Sequence, residues 1–262
     1  MTEIVTRAAR PEDATRIVEL VRAGFHPEML ARFIYGCQGI ERYVELLVAD
    51  ADHVDTRFIV AESAGELIGS IEMRLLGELL FLNYVAVDSG ARKRGVANRL
   101  LHAAIRSLRQ PHHAKLALDV LSDNCAACAW YDSLGMTIES VTRWYEMPIA
   151  TQTLGTNDIV FNGIAQARVC QERFGFSQMT LVSPRDSHAI GMLGDRWFRM
   201  TSADALVDPA VLGRLRELDP QRDVLALILS TRAVPSGCRE VASTQRRSAS
   251  LAHVAARLES AR

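Results

Sequence analysis

Between Val85 and Ile105 the chain reads VAVDSGARKRGVANRLLHAAI, and few backbone arrangements satisfy that order. Val85-Ala86-Val87 favours a strand, Ser89-Gly90 interrupts it, and Arg92-Lys93-Arg94 places three cations on the turn. Gly95 then opens an apolar-striped helix from about Val96 to Leu108, which ends before Pro111. The first N–H groups of a helix have no partners within it, and the peptide dipoles put partial positive charge there. Gly95 would let a ligand approach the backbone with no Cβ in the way, and Ala97 keeps the next turn small. In physical terms a strand, a basic glycine loop and a helix start make an anion site. A basic surface turn has the same composition, so the loop alone leaves both readings open.

The next strand and helix, LALDVLSDNCAACAWYDSLGM, narrow the choice. Asn124 and Tyr131 are two helical turns apart and project from one face. The order of these two units resembles the GNAT superfamily of acetyl-CoA-dependent N-acetyltransferases. The resemblance rests on Arg92-x-x-Gly95-x-Ala97 after Val85-Ala86-Val87, and on Asn124-x-x-Ala127-x-x-Trp130-Tyr131-x-x-Leu134-Gly135-Met136. It covers residues 1–150, and implies an α/β fold (α+β in some schemes): a mixed, twisted sheet flanked by helices. Alanine at 97 stands where glycine is more usual, and Ser89-Gly90 replaces a proline after Asp88.

The resemblance also implies roles. Backbone amides of Arg92, Lys93, Arg94, Gly95, Val96, Ala97 and Asn98 would hold the pyrophosphate of coenzyme A. Val85, Ala86 and Val87 would pair with the pantetheine arm like an added strand, and Asn124 would contact the cofactor from the following helix. Acetyl-CoA is the acyl donor and no metal is required. A primary amine with a pKa near about 10.4 must lose a proton before it attacks, and a thiolate must gain one as it leaves. Tyr131 matches the family's acid position. Asp119 is the candidate base, with Glu72 and Glu78 as competitors.

Composition sets the remaining bounds. A net charge of −1 and 23% charged residues argue against a nucleic-acid binder. No apolar run is long enough for a membrane span, and no basic-then-apolar leader opens the sequence. Five scattered cysteines fit reduced thiols, hence a cytoplasmic protein, and Cys125-x-x-Cys128 without a second pair reads as structural. Residues 1–150 carry a net −4 and residues 151–262 a net +3.

The organisation expected is a domain over 1–150, a polar linker TQTLGTND over 151–158, and a smaller α+β region over 159–262. One long helix is expected from Pro27 to about Leu47, and a short amphipathic helix after an Arg/Ser-rich stretch at the C-terminal end. AQARVCQERFGFSQMTL echoes AACAWYDSLGMTIES, so the second region reads either as a degenerate GNAT-like half or as an acceptor or homodimer module. No basic glycine loop precedes a helix there, and no coenzyme of its own is expected. Arg196-Trp197-Phe198-Arg199 would line an acceptor pocket or lie in the core. The acceptor expected is a small-molecule amine or a protein N-terminus, with a non-catalytic acyl-CoA sensor as the alternative function.

Overall fold

The computed structural model describes residues 3–150, 158–184 and 186–260. In chain order come β1 (Ile4–Ala8), α1 (Ala14–Arg22), α2 (Pro27–Leu30), α3 (Ile40–Ala49), β2 (Thr56–Ser63), β3 (Glu66–Leu76) and β4 (Leu79–Val87). Next are α4 (Val96–Leu108), β5 (Lys115–Leu121), α5 (Cys125–Ser133), β6 (Thr137–Met147), β7 (Val160–Asn162), α6 (Ile164–Phe174) and β8 (Phe176–Val182). The remainder is β9 (Ser187–Leu193), β10 (Trp197–Met200), α7 (Ala203–Val207), α8 (Pro209–Leu218), β11 (Asp223–Leu229), β12 (Arg239–Ser250) and α9 (Leu251–Ser260).

The chain divides into two compact units. One comprises Met1–His26, Glu41–Glu139 and Gln245–Arg262; the other comprises Pro27–Ile40 and Ser140–Thr244. Most of the expected linker, residues 151–157, lies outside the described residues.

In the first unit β1, β2, β3 and β4 pair antiparallel in sequence order, and β4 pairs parallel with β5. A parallel pair needs a crossover, and α4 supplies it. The second unit repeats this pattern: β7, β8, β9 and β10 pair antiparallel, and β10 pairs parallel with β11. Here α6 follows the first strand as α1 does, and α7 with α8 makes the crossover. Each is a twisted mixed sheet flanked by helices. The sixth strand of each pattern is exchanged. Residues 245–250 of β12 lie next to β5 in the first unit, and residues 140–147 of β6 pair antiparallel with β11 in the second.

Each unit has its own core. Val96, Leu100, Leu101, Ala104 and Ile105 form the buried stripe of α4, packed with Ile59, Ile71, Leu80, Leu116 and Leu118. Each such aliphatic side chain contributes about 1.5–3 kcal/mol by burial. Gly69 on β3 lets α4 lie close to the sheet, since a Cβ there would come within 3.0 Å of Val96 Cγ1. In the second core Leu181, Ile190, Phe198, Leu215 and Val224 are fully buried. Trp197 and Phe198 therefore serve packing, with the Arg196 guanidinium lying over the Trp197 ring at 4.2 Å.

Two expectations change. The helix anticipated from Pro27 to Leu47 is broken into α2, a short turn and α3. A Cβ on Gly36 would stand 2.4 Å from the Leu30 carbonyl oxygen, and one on Gly39 only 2.3 Å from that of Arg173. Phe33, between them, packs on Trp144 with ring centroids 5.1 Å apart. This tertiary packing outweighs local helix propensity. The Arg/Ser-rich stretch, for its part, is a twelve-residue strand. Its buried polar groups are satisfied in place, as where the Ser248 hydroxyl donates to Glu139 Oε1 at 2.6 Å. Leu251, Val254 and Leu258 of α9 then dock into the first core.

Gly135, after α5, has φ +73°, where an L side chain is strained. Gly135→Ala should lower stability by about 1–2 kcal/mol in urea titration, chiefly from that backbone strain. Because the nearest obstruction is only the movable His253 ring, a second His253→Ala change should not restore it.

Candidate active site

Hydrogen bonding between β4 and β5 covers only Leu79↔Lys115 through Leu82↔Leu118. Beyond it both strands continue, β4 to Val87 and β5 to Leu121, so they part and leave one edge of β4 open. The cause lies one strand away. The β3–β4 register shifts between Glu72 and Met73, which face Tyr84 and Leu82, leaving Asn83 as the extra residue of a bulge. Asn83 Nδ2 donates to Glu72 Oε1 at 2.6 Å, and Glu72 is buried at 6% exposure. Val85, Ala86 and Val87 pair with Ile71, Ser70 and Gly69 on their other side.

The strand leads into a braced turn. Asp88 accepts from the Gly90 N–H at 3.0 Å and from Arg16 Nη2 at 2.8 Å. The Gly90 N–H and then Arg16 hold the Asp88 carboxyl below its ordinary value. Arg92, Lys93, Arg94 and Gly95 are exposed, and the Arg92 Nε–H donates to the Val87 carbonyl at 3.2 Å. Lys93 has φ +60° and Gly95 φ +75°. A left-handed lysine costs about 1 kcal/mol, a strain kept at the mouth of the helix. Gly95 is the N-cap of α4 and supplies no capping side chain, so the first N–H donors of that helix keep their positive end open. A Cβ added at Gly95 meets nothing within 4 Å, which makes the space before these donors open.

Asn98 ties this loop to the next helix: its Oδ1 accepts from Trp130 Nε1 at 2.7 Å. The Trp130 and Tyr131 rings follow with centroids 4.9 Å apart. Tyr131 is buried at 4% exposure. Burial pushes its phenol pKa up and Cys128 adds to this, while Arg247 acts in the opposite sense, so the phenol stays protonated at neutral pH. Asn124 is exposed and caps α5, its Oδ1 accepting from the Ala127 N–H at 3.1 Å. Asp119 lies on β5 just past the parting point. Both its oxygens accept from Arg246, at 2.5 Å from Nε and 2.9 Å from Nη2, and that guanidinium stands 5.1 Å from the Phe81 ring centroid.

Sequence reasoning located the loop, β4 and Tyr131, but not Asn83, Asp88 with Arg16, or Arg246 and Arg247. The bulge has no residue signature beyond an asparagine in an apolar strand. Arg246 meets Asp119 across 127 positions of chain, a spacing that no local pattern carries. In the second unit the corresponding helix start is closed: Ser202 caps α7 by accepting from Ala205, and Asp208 caps α8. Pairing between β10 and β11 there runs to Met200, the last residue of β10. Among the described residues no cluster of three or more His, Cys, Asp or Glu is placed to hold a metal, and no helix is long and apolar enough to cross a membrane.

A mixed sheet with a parted parallel pair leading into a glycine-led helix without a capping side chain is an α/β arrangement whose open helix start has the charge and donors that suit an anion. The acetyltransferase (GNAT) family model matches residues 25–136 of this chain. An acetyltransferase of Sodalis glossinidius (strain morsitans) is 35% identical over 83 residues, which is 32% of this chain and 58% of that one. The chain thus spans less than two thirds of the curated relative it matches. A tandem GNAT protein from the clavulanic acid biosynthesis pathway shares the fold with a TM-score of 0.66 at 13% identity, over 95% of this chain and 99% of that chain. A Pyrococcus horikoshii protein described as an acetyltransferase gives 0.62 at 14% identity, over 94% and 89%. Both matches extend well beyond residue 150, in keeping with the repeated topology.

Asp88→Asn keeps the shape of the brace and removes its charge. With coenzyme A, whose binding is proposed below, as the calorimetric probe, affinity should weaken by about three- to tenfold. A depressed carboxyl contributes above its ordinary value and is lost only as pH falls through the lowered one. The Asp88 contribution should therefore be flat from about pH 6 to 9 and fade only below about pH 4.

Proposed function

We propose that the first unit is an N-acetyltransferase that moves an acetyl group from acetyl-CoA directly to an amine, on a small molecule or a protein N-terminus. The observation that carries this reading is the continuity of the open β4 edge with the uncapped start of α4. Together they suit a ligand that is extended and amide-bearing at one end and polyanionic at the other. Coenzyme A has that form. The space before Gly95, the first-turn donors, and the charges of Arg92, Lys93 and Arg94 fit its pyrophosphate.

When bound, acetyl-CoA supplies the acetyl group as a thioester. The backbone groups of the Val85–Val87 segment that face away from β3 orient the arm as an added strand would. Asn98, engaged by Trp130, contributes its backbone to the cradle and fixes α5 beside it, and Asn124 borders the site. Tyr131, kept neutral by burial, holds the proton that the departing sulfur needs. Two carboxylates stand where β4 and β5 part. Asp119 is the candidate base, although proton uptake there requires Arg246 to release one oxygen; buried Glu72 is its competitor. The second unit reads as a GNAT-like half, in which the crossover helices α7 and α8 start with side-chain caps where α4 has none.

Calorimetric titration of the full chain with coenzyme A and acetyl-CoA tests the reading. Gly95→Glu should weaken binding more than about a hundredfold, because it sets a carboxylate against the phosphates. Tyr131→Phe should retain binding and lower kcat by about 10- to 100-fold. Folded wild-type protein without coenzyme A affinity would remove the acetyltransferase assignment, and binding without turnover would favour the sensor.

A further inference from the structure

The exchanged strand brings two arginines to the first unit, and they have different fates. Arg246 is half exposed beside Asp119, whereas the Arg247 side chain is buried at 6% exposure. A buried guanidinium costs several kcal/mol unless it is paired, and a methionine or leucine would fill the same space without that cost. Arg247 spends its donors in one place. Nη1 donates to the Asp132 carboxylate and, at 3.5 Å, to the Cys128 carbonyl; Nε donates to Gln245 Oε1 at 2.9 Å. Cys128 and Asp132 are one helical turn apart, and Tyr131 sits within that turn.

We propose that Arg247 is the positioning residue for Tyr131: it clamps the turn of α5 that carries the phenol and sets a fixed cation beside it. The inference rests on the acetyltransferase reading above. In the transfer, the amine nitrogen bonds to the acetyl carbon while the C–S bond breaks and its electron pair stays on sulfur. Tyr131 Oη gives that sulfur its proton, the carboxylate base takes the proton shed by the amine, and solvent then carries that proton from the base to the phenolate left behind. Burial and Cys128 both resist formation of that phenolate, and Arg247 favours it. Asp132, the other charged group on this turn, is bonded to Arg247 and so holds the cation in place. The family-model match ends at residue 136, yet this clamp comes from the opposite end of the sequence.

The experiment uses the full chain with Arg247→Met, Arg247→Lys, Tyr131→Phe and the Arg247→Met/Tyr131→Phe double variant. Asp132→Asn loosens the clamp from its exposed side and keeps the test available if Arg247→Met does not fold. Three quantities are read: hydrogen exchange of the α5 amides, calorimetric affinity for coenzyme A, and kcat and KM for acetyl-CoA against a panel of polyamines, aminoglycosides, amino acids and short peptides. Arg247→Met should speed α5 exchange by about tenfold and keep coenzyme A affinity within about threefold of wild type. It should lower kcat by about 30-fold with KM little changed, and cost less than about twofold more in the Tyr131→Phe background. Arg247→Lys should restore part of the rate, and Asp132→Asn should move exchange and kcat the same way by about threefold. Unchanged exchange and kcat in Arg247→Met, or an equal loss with and without Tyr131, would overturn the proposal and leave the acetyltransferase reading intact. Wild-type protein that fails to bind coenzyme A, or binds it and acetylates no member of the panel, would overturn both.

Discussion

Everything about the candidate site depends on the place where β4 and β5 stop pairing. A parallel ladder that continued past Leu82 and Leu118 would consume the backbone groups of the Val85–Val87 segment that face away from β3. The bulge at Asn83 turns β4 out of that ladder, and the Asn83–Glu72 bond holds the bulge against β3. The freed edge then runs into a turn braced by Asp88 and Arg16, and the turn into a helix whose first donors have no cap. One irregularity thereby yields an open strand edge and a positive helix end in succession.

The two units show what the same topology becomes when those irregularities are missing. Strand order and sense repeat from β1–β5 to β7–β11, crossover included. Yet in the second unit the strand pair stays joined to the end of β10, and Ser202 and Asp208 occupy the starts of the crossover helices α7 and α8 with their own side chains. An acidic cap at a helix N-terminus satisfies the donors that a phosphate would otherwise take. Among the described residues, only the first unit joins an open strand edge to a crossover helix that starts without a side-chain cap. What the second half of the chain does supply is a strand: residues 245–250 complete the first sheet beside β5, bringing Arg246 to Asp119 and Arg247 to the turn of α5 that carries Tyr131.

The sequence by itself determined the local matters. Apolar spacing marked α4, because helix and strand periods differ and a buried stripe must match one of them. Gly95 and the basic run announced the turn and the helix start for the same local reason: a glycine, three cations and a helix start are neighbours in the chain. Tertiary structure decided what depends on distant partners. It broke the helix expected after Pro27, since Gly36 and Gly39 are needed for backbone contacts with Leu30 and Arg173. It made a strand of the Arg/Ser-rich stretch, whose polar side chains are stabilised only where Glu139, Asp119 and Asp132 wait for them. It fixed which strand ends each sheet and which arginine stands beside Tyr131. Residue periodicity records which side of an element is buried, but it holds no record of what buries it, and that is why those choices appeared only in the folded chain.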